Sequence, residues 1–456
     1  MNFPKISVYI TNKNYSKYLE KSVNSVINQS YKNWELFIID DNSSDNSREI
    51  IVKLKNKFSF INIIFKKKDT GLQKIANSIL KKCNGKYIIR LDADDWLHEN
   101  ALLLLLNKIE YNNKTALVYG NYFYVNTFGK IIGYEDNYKI NDKMIHKYNP
   151  AHGACSLIRV SYFKKVGGYS TNLKAQDGWD IWYKFLNKYN IENIQDRIFY
   201  YRQHKKSLSK NYNKILTERL KVLDRKSNKT FKESYSIAIV PIKLNYSNIK
   251  NLPFYEINGS NLIDLTIDYL LQSKLIKKVL ITTSSMKVIK YIEKKKNKFN
   301  FKRKNYIEIY KRPKNFSKSM KQINKFTIHA IDSFYKKYKF IPNNISILSL
   351  HTVRKNIKYL EQAIQNKKIN KFNSIISVDN ETDPLFNYTS KGLKLLNKGK
   401  FDEIIPVKNK IYKYNGAFIV TDYNSILNNT IFNKNLGYIE SPDEENIKIM
   451  DLLSNK

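Results

Sequence analysis

Apolar residues in the first part of the chain fall into short blocks separated by amphipathic stretches. Ile6-Ser-Val-Tyr-Ile10 is a mostly apolar run of strand length, and Thr11-Asn-Lys-Asn-Tyr15 is a polar turn. From Tyr18 to Ile27 the apolar positions are 18, 19, 23, 26 and 27, the spacing of one helix face. Trp34 to Ile39 predicts a second strand. It ends in Asp40-Asp41-Asn-Ser-Ser-Asp45, residues that favour turns and helix N-caps, and a helix through Ile51 and Leu54 follows. Ile61 to Phe65 predicts a third strand, Gly71 to Lys82 a helix closed by Asn84-Gly85, and Tyr87 to Leu91 a fourth strand. This last strand stops at Asp92, Asp94 and Asp95, and a helical pattern resumes from Ala101 to Ile109. Such alternation predicts a mostly parallel sheet with helices on both faces. Ligands of such sheets bind beyond the carboxyl ends of the strands. Here those ends carry Thr11 to Asn14, Asp40-Asp41, and Asp92 to Asp95.

The pattern then loosens. Leu117 to Val125 and Lys130 to Tyr134 predict a hairpin around Asn126 to Gly129, and Ala151 to Arg159 predicts another strand. Phe163 to Tyr169 contains Gly167-Gly168. Gln176-Asp-Gly-Trp-Asp180 opens a helix with Trp182, Phe185 and Leu186, and Ile198 to Arg202 reads as a short strand before Gln203-His204. From about 205 to 234 the chain is basic, with a helix at Ile215 to Leu223 and a linker at Lys226 to Ser236. A second α/β pattern begins at Ile237 to Pro241. Strands at Lys278 to Thr283, Ile345 to Leu350, Ser374 to Val378 and Ala417 to Val420 belong to it, with helices at Asn261 to Leu271 and Lys287 to Lys294. The expected organisation is a first domain over 1–210, a basic helix and linker over 211–235, and a second domain over 236–456. Both are expected to be α/β domains of the size of nucleotide-binding folds.

Charge changes this picture little. Lys and Arg number 80 against 40 Asp and Glu, giving a formal net charge of +40. That could indicate nucleic acid, an anionic membrane or a nucleotide-linked substrate. Lys, Asn, Ile and Tyr are over-used throughout, exposed helix faces included, so composition bias explains the excess and no specific nucleic acid is expected. A positive surface still favours contact with anionic lipid. Cys83 and Cys155 support neither a disulfide framework nor a cysteine-based zinc site. Met1 is not followed by a signal-peptide pattern, and the longest strictly apolar run, Ala101 to Leu106, is far short of the ~20 residues that a membrane helix needs. The expected location is cytoplasmic, peripheral at the inner face of the membrane.

Asp92-Ala-Asp94 has D-x-D spacing. In an extended segment both carboxylates share a face. One can take ribose hydroxyls while the other holds a divalent cation that neutralises a diphosphate. Taken alone, the cluster suits a helix N-cap equally well.

Flanking residues favour the first reading. Val8-Tyr-Ile-Thr-Asn-Lys-Asn14, Ser25-Val-Ile-Asn-Gln-Ser-Tyr-Lys-Asn-Trp-Glu-Leu36, Ile39-Asp-Asp-Asn-Ser-Ser-Asp-Asn-Ser47, Gly71 to Asn77, Asn84-Gly-Lys-Tyr87, Leu91-Asp-Ala-Asp-Asp95, Val166-Gly-Gly-Tyr169, Gln176-Asp177 and Tyr201-Arg-Gln-His204 occur in an order and spacing that resemble a family 2 glycosyltransferase of the GT-A fold, over residues 6 to about 209. The resemblance implies inverting transfer from a nucleotide-diphosphate sugar to a glycan or lipid-linked acceptor in bacterial surface polysaccharide synthesis, with Mn2+ or Mg2+. It implies that Thr11 and Asn14 border the nucleotide and that Asp40 and Asp41 contact base and ribose. Asp92 and Asp94 would hold ribose and metal, Asp95 and Arg202 would support them, and His204 would join the metal. Asp177 would be the general base, with Asp180 the alternative, and His152 would line the acceptor side. Thr11 stands where proline is usual, Gln176 where Glu is usual, and Ala76 where arginine is common.

Residues 237–456 resemble acylneuraminate cytidylyltransferases through Ile239-Val-Pro241, Lys250-Asn251, Ile263 to Lys274, Val279-Leu-Ile-Thr-Thr283, Arg312-Pro313, Ser374-Ile-Ile-Ser-Val378 and Tyr414-Asn-Gly-Ala-Phe-Ile-Val420. The functional positions have eroded. The loop Pro241 to Lys250 has no glycine to turn its amides toward phosphates. Ser284 replaces an aspartate, Glu440-Ser-Pro442 replaces a metal-binding acid pair, and Asn446 stands at a third acidic position. The resemblance therefore implies a degenerate domain, with residual binding at Lys243, Lys250, Arg312 and Asn415, and a homo-oligomer built through it. Two further readings stay open: a bifunctional enzyme that also activates a keto-sugar acid with CTP, and a non-catalytic polyanion-binding protein.

Overall fold

The computed structural model describes residues 4–135, 152–186, 188–204, 211–230, 234–245, 249–302, 306–312, 323–381, 385–389, 392–397, 411–432, 435–442 and 446–449. Two compact units divide the chain, one of residues 1–222 and 384–408, the other of 223–383 and 409–456. Each is described by itself.

The first unit runs β1 (Ile6–Asn12), α1 (Ser16–Ile27), β2 (Trp34–Asp40), α2 (Ser47–Lys57), β3 (Asn62–Phe65), α3 (Leu72–Lys82), β4 (Tyr87–Asp92), β5 (Trp96–Leu97), α4 (Ala101–Glu110), β6 (Thr115–Val125), β7 (Ile131–Glu135), β8 (Leu157–Arg159), α5 (Val160–Lys165), α6 (Asp177–Phe185) and β9 (Asn190–Arg202). Helix α7 (Tyr212–Thr230) contains the helix expected at Ile215 to Leu223 and runs on into the start of the segment expected to be a linker, as far as Thr230. Strands β3-β2-β1-β4 are parallel neighbours, as the sequence predicts. Past β4 the expectation of a mostly parallel sheet fails. Strand β8 runs antiparallel to β4 and β6, β6 is parallel to β9, and β5 is antiparallel to β9. The fold is mixed α/β.

Side-chain alternation divides the core between the two faces of the sheet. Ile6, Val8, Ile10, Leu36, Ile38, Ile89 and Leu91 pack with α1 and α4 through Leu19, Val23, Leu102 and Leu105. Tyr9, Phe37, Ile39 and Ile88 pack on the opposite face against Ile75, Ala76, Ile79 and Leu80 of α3 and Ile181, Trp182 and Phe185 of α6. Covered on both faces, these strands read as near-continuous apolar runs. The strand expected over 151–159 is only Leu157–Arg159, because Cys155 turns the backbone into the left-handed region at φ 58° and residue 151 lies outside the described residues.

The second unit holds a seven-stranded sheet in the order 307–311, 276–283, 236–242, 344–347, 411–421, 374–381, 436–440. The first four are parallel, and 411–421 runs antiparallel to both of its neighbours. Ile237, Ile239, Leu280, Phe334, Ile345 and Ile419 lie in its core. The sequence reading did not include the strand Ile307–Lys311 or the helices Ile323–Tyr338 and Lys358–Asn370.

Candidate active site

The parallel strands bring their acidic ends level. Thr11 on β1 pairs in register with Asp92 on β4, and Asn12 with Asp40 on β2. A cavity of about 620 Å³ opens beyond these ends, within the range of small-molecule sites. Thr11, Asp41, Arg90, Asp92, Asp94, His152 and Asp177 line it, together with aromatic residues Tyr15, Tyr122, Tyr124, Trp179 and Tyr201.

Arg90 lies two residues before Asp92 and therefore on the same face of β4. Its side chain is 5% exposed, with Nε 3.0 Å from Asp92 Oδ1 and Nη1 2.5 Å from Asp177 Oδ2. One guanidinium thus joins the strand-end acid to the acid that opens α6. Burial, opposed by Arg90 and reinforced by Asp94 and Asp177, pushes the Asp92 carboxyl up to about 6. Asp177 reaches this place because Gln176 before it adopts φ 62° and α6 starts at Asp177. A Cβ on Gly153 would lie 2.7 Å from Asp177 Oδ2 and 3.2 Å from Arg90 Nη2, so this close approach needs a glycine.

Asp94 Oδ2 lies 2.9 Å from His204 Nε2, and both side chains are nearly buried. The His204 ring stacks on Tyr18 and meets Tyr15 edge-on. Asp95 faces the other way. Its Oδ1 accepts the Arg202 amide at 2.8 Å, while Oδ2 is buried without a hydrogen-bond partner among the described residues. Burial and the neighbouring Asp94 and Asp92 push this carboxyl well up. Arg202 donates to the Asp94 carbonyl at 2.8 Å and to the Asn126 and Thr127 carbonyls at 3.1 and 3.0 Å. Its role is therefore to tie the acidic turn to the β6–β7 turn.

His152 packs among Tyr122, Phe199 and Tyr201. Its Nδ1 accepts the Ala154 amide at 3.3 Å, which leaves the ring proton on Nε2. Burial, then the Arg90 charge, lowers its pKa to about 4, so it is neutral near pH 7.

Three expected residues sit elsewhere. Asp40 is fully buried and does not line the cavity; it accepts from Asn12, the Ser43 amide and Arg48 at 3.0, 3.1 and 2.9 Å. Burial opposes its charge, but those hydrogen bonds outweigh it and hold the carboxyl below its usual range. Asp41 lines the cavity instead, and its oxygens accept the Thr70 and Gly71 amides at 2.7 and 3.0 Å. Asn14 is exposed at φ 59° and accepts the Ser44 amide at 2.8 Å, pinning two turns together. Asp180 is committed to the Ser170 amide and hydroxyl at 2.8 and 2.9 Å and to Lys184 at 3.1 Å, so Asp177 is the acid of that pair that faces the cavity. Sequence reasoning missed Arg90 and the aromatic lining. The available signal was a lone arginine inside an apolar strand, in phase with Asp92.

Among the described residues no group of three or more His, Cys, Asp or Glu is placed to hold a metal. Asp94, which lines the cavity, and His204, paired with it behind, nevertheless form an oxygen and nitrogen donor set. This fits a cation that takes its remaining ligands from substrate phosphates and water.

In the second unit, Arg312 and Lys243 lie 4.2 and 5.9 Å from the centre of the Phe326 ring, and Arg312 donates to the Ile242 carbonyl at 2.5 Å. Asn415 belongs to a different cluster, donating to Asp379 and the Ser441 carbonyl at 2.9 and 3.0 Å. Lys250 is exposed in a turn. Pro313 lies outside the described residues.

Residues 7–167 match the family Glycosyl transferase family 2. An uncharacterized glycosyltransferase of Haemophilus influenzae is 25% identical over 305 residues, 64% of this chain and 92% of that protein. One from Rickettsia bellii is 28% identical over 201 residues, 41% of this chain and 28% of its own length. A cholesterol galactosyltransferase of Borreliella burgdorferi is 35% identical over 120 residues, 26% of this chain and 33% of that protein. The chain thus spans 28% and 59% of the length of two Rickettsia relatives. Among solved structures, S. aureus TarS 1-349 in complex with UDP overlays with a TM-score of 0.41 at 18% identity, covering 50% of this chain and 67% of that one. The chain contains a family 2 glycosyltransferase domain.

Proposed function

We propose that the first unit is an inverting glycosyltransferase that moves a sugar from a nucleotide-diphosphate donor to a hydroxyl of a glycan or lipid-linked acceptor. The observation that carries this reading is the meeting of Asp41, Asp92, Asp94 and Asp177 around one cavity, with Arg90 between the strand-end acid and the α6 acid. Thr11 and Asp41 border the nucleoside, and Asp92 takes ribose hydroxyls. A divalent cation, Mn2+ or Mg2+, held by Asp94 and His204 would supply positive charge to the diphosphate. Asp177 accepts the acceptor hydroxyl proton as that oxygen bonds to the anomeric carbon and the bond to the diphosphate oxygen breaks from the opposite side. Configuration inverts and the nucleoside diphosphate leaves. Neutral His152 presents its Nε2 proton to the acceptor. Relatives with glycosyltransferase names and the family match support the class of reaction.

The second unit, in this reading, is a degenerate cytidylyltransferase-like domain that supports the first and mediates self-association. The glycine-free loop over Pro241 to Lys250 supports loss of its phosphate chemistry. Among the described residues no helix is long and apolar enough to cross a membrane, and the reading places the protein in the cytoplasm at the inner membrane face.

A thermal-shift screen with UDP-, GDP-, dTDP- and CMP-sugars, with and without Mn2+, identifies the donor, because a ligand of the folded state raises the melting temperature. One nucleotide series is expected to stabilise the protein in a Mn2+-dependent way, and Asp94→Ala is expected to remove that dependence. No shift with any donor would contradict the reading.

A further inference from the structure

Strands β6 and β7 form a hairpin whose tip is apolar and exposed. Phe128 is 89% exposed, and Ile131 and Ile132 are each 49% exposed. Three large apolar side chains within five positions have a cost in water that scattered single residues do not. The tip is also preformed. Asn126 Oδ1 accepts the Phe128 and Lys130 amides at 2.9 and 3.0 Å, and the Asn126 amide and carbonyl close the turn on Lys130 and Gly129. Arg202 holds the Asn126 and Thr127 carbonyls from below. Phe128 is thus presented on a turn fixed from both sides, so docking loses little conformational freedom.

Cations flank the tip. Lys130 is exposed within it, and Lys21 Nζ lies 3.4 Å from the Trp96 ring centre and 3.2 Å from where a side chain on Gly129 would begin. An apolar wedge beside lysines, on a protein of net charge +40, matches the boundary between acyl chains and anionic headgroups. Lys21 and Lys130 oppose burial of this tip against the same tip of a second copy.

We propose that the β6–β7 tip docks this protein on an anionic lipid bilayer, with Phe128, Ile131 and Ile132 entering the headgroup–acyl boundary and Lys21 and Lys130 meeting lipid phosphates. The proposal does not rest on the transfer reading. Its relation to the cavity is covalent: Tyr122 and Tyr124, on the strand that leads to the tip, line the cavity wall.

The test uses the full-length protein and vesicles of phosphatidylcholine with or without phosphatidylglycerol. Cosedimentation is expected with the anionic vesicles, falling by about tenfold or more in Phe128→Asp/Ile131→Asp/Ile132→Asp, whose circular dichroism and melting temperature stay at the wild-type values. In Phe128→Trp, brominated lipid is expected to quench fluorescence beyond the wild-type level. Three results would each overturn the proposal: no binding to anionic vesicles, undiminished binding by the triple variant, or a concentration-dependent dimer in ultracentrifugation that the triple variant abolishes. Because vesicle binding is read without donor or acceptor, its failure leaves the transfer reading standing, and the reverse also holds.

Discussion

Arg90 and Gly153 decide the geometry of the cavity, and neither is an acid. Arg90 compensates two carboxylates at once, so Arg90→Met leaves Asp177 and Asp92 without their cation. A loss of about 3–5 kcal/mol is expected in chemical denaturation. A loss below about 1 kcal/mol would show that the two acids are solvated without it. Gly153→Ala places a methyl group 2.7 Å from Asp177 Oδ2 and 3.2 Å from Arg90 Nη2, so the carboxylate must move. Misplacing the base by about 1 Å is expected to cost on the order of 10²-fold in turnover while donor affinity is unchanged. Equal losses in both would indicate a general collapse of the site. His152 adds a pH signature. Its pKa falls from the ordinary 6.5 to about 4 on folding, so between these values the unfolded chain binds the extra proton. Its contribution is complete above pH 6.5 and is lost as pH falls toward 4. Asp92, raised to about 6, slopes the opposite way over part of this range: its charge costs stability as pH rises. His152→Phe therefore isolates one effect. The difference in urea midpoint between variant and wild type is expected to vary between pH 6.5 and 4 and to be flat above it; a flat difference throughout would refute a buried neutral histidine.

At the scale of elements, the parallel half of the first sheet and the β6–β7 hairpin were legible, whereas the pairing of β8 and the length of β9 were not. Strands β1, β2 and β4 are buried on both faces, so their apolar runs and terminal acids stand out in the sequence. Their register, which sets Thr11 against Asp92 and Asn12 against Asp40, follows from a shared parallel pairing. Strand β8 has three residues, and most of β9 is only partly buried, so neither produces a clear period. The sequence also treated Asp40 and Asp41 as a pair, and Asp177 and Asp180 as alternatives. Adjacent or near-adjacent acids point differently once the backbone is fixed, and hydrogen bonds from Arg48 and from Ser170 claim Asp40 and Asp180. Gly85 tests the register itself. A Cβ there would lie 2.6 Å from the Ser7 amide nitrogen of β1, so Gly85→Ala is expected to cost about 1–3 kcal/mol. An unchanged melting temperature would mean that the β1–β4 edge can shift without cost.

For the whole molecule, composition said least. A charge of +40 spread over the chain names no partner, and only the hairpin tip turns it into a local statement about lipid. Motif order over residues 6 to about 209 pointed to the family that matches residues 7–167, whereas the second unit is a mixed α/β sheet. The unequal placement of acids follows the same division. In the first unit they converge on a cavity; in the second, Glu440 accepts from Tyr412 at 2.7 Å and Asn446 is bound to the Ser441 carbonyl. The central claim is that Asp177 removes the acceptor proton, and Asp177→Asn tests it most directly. With the donor found by thermal shift, transfer by this variant is measured alongside its affinity for that donor. A fall in turnover of at least about 10²-fold with donor affinity within about twofold is the predicted result. Turnover at the wild-type level would contradict it.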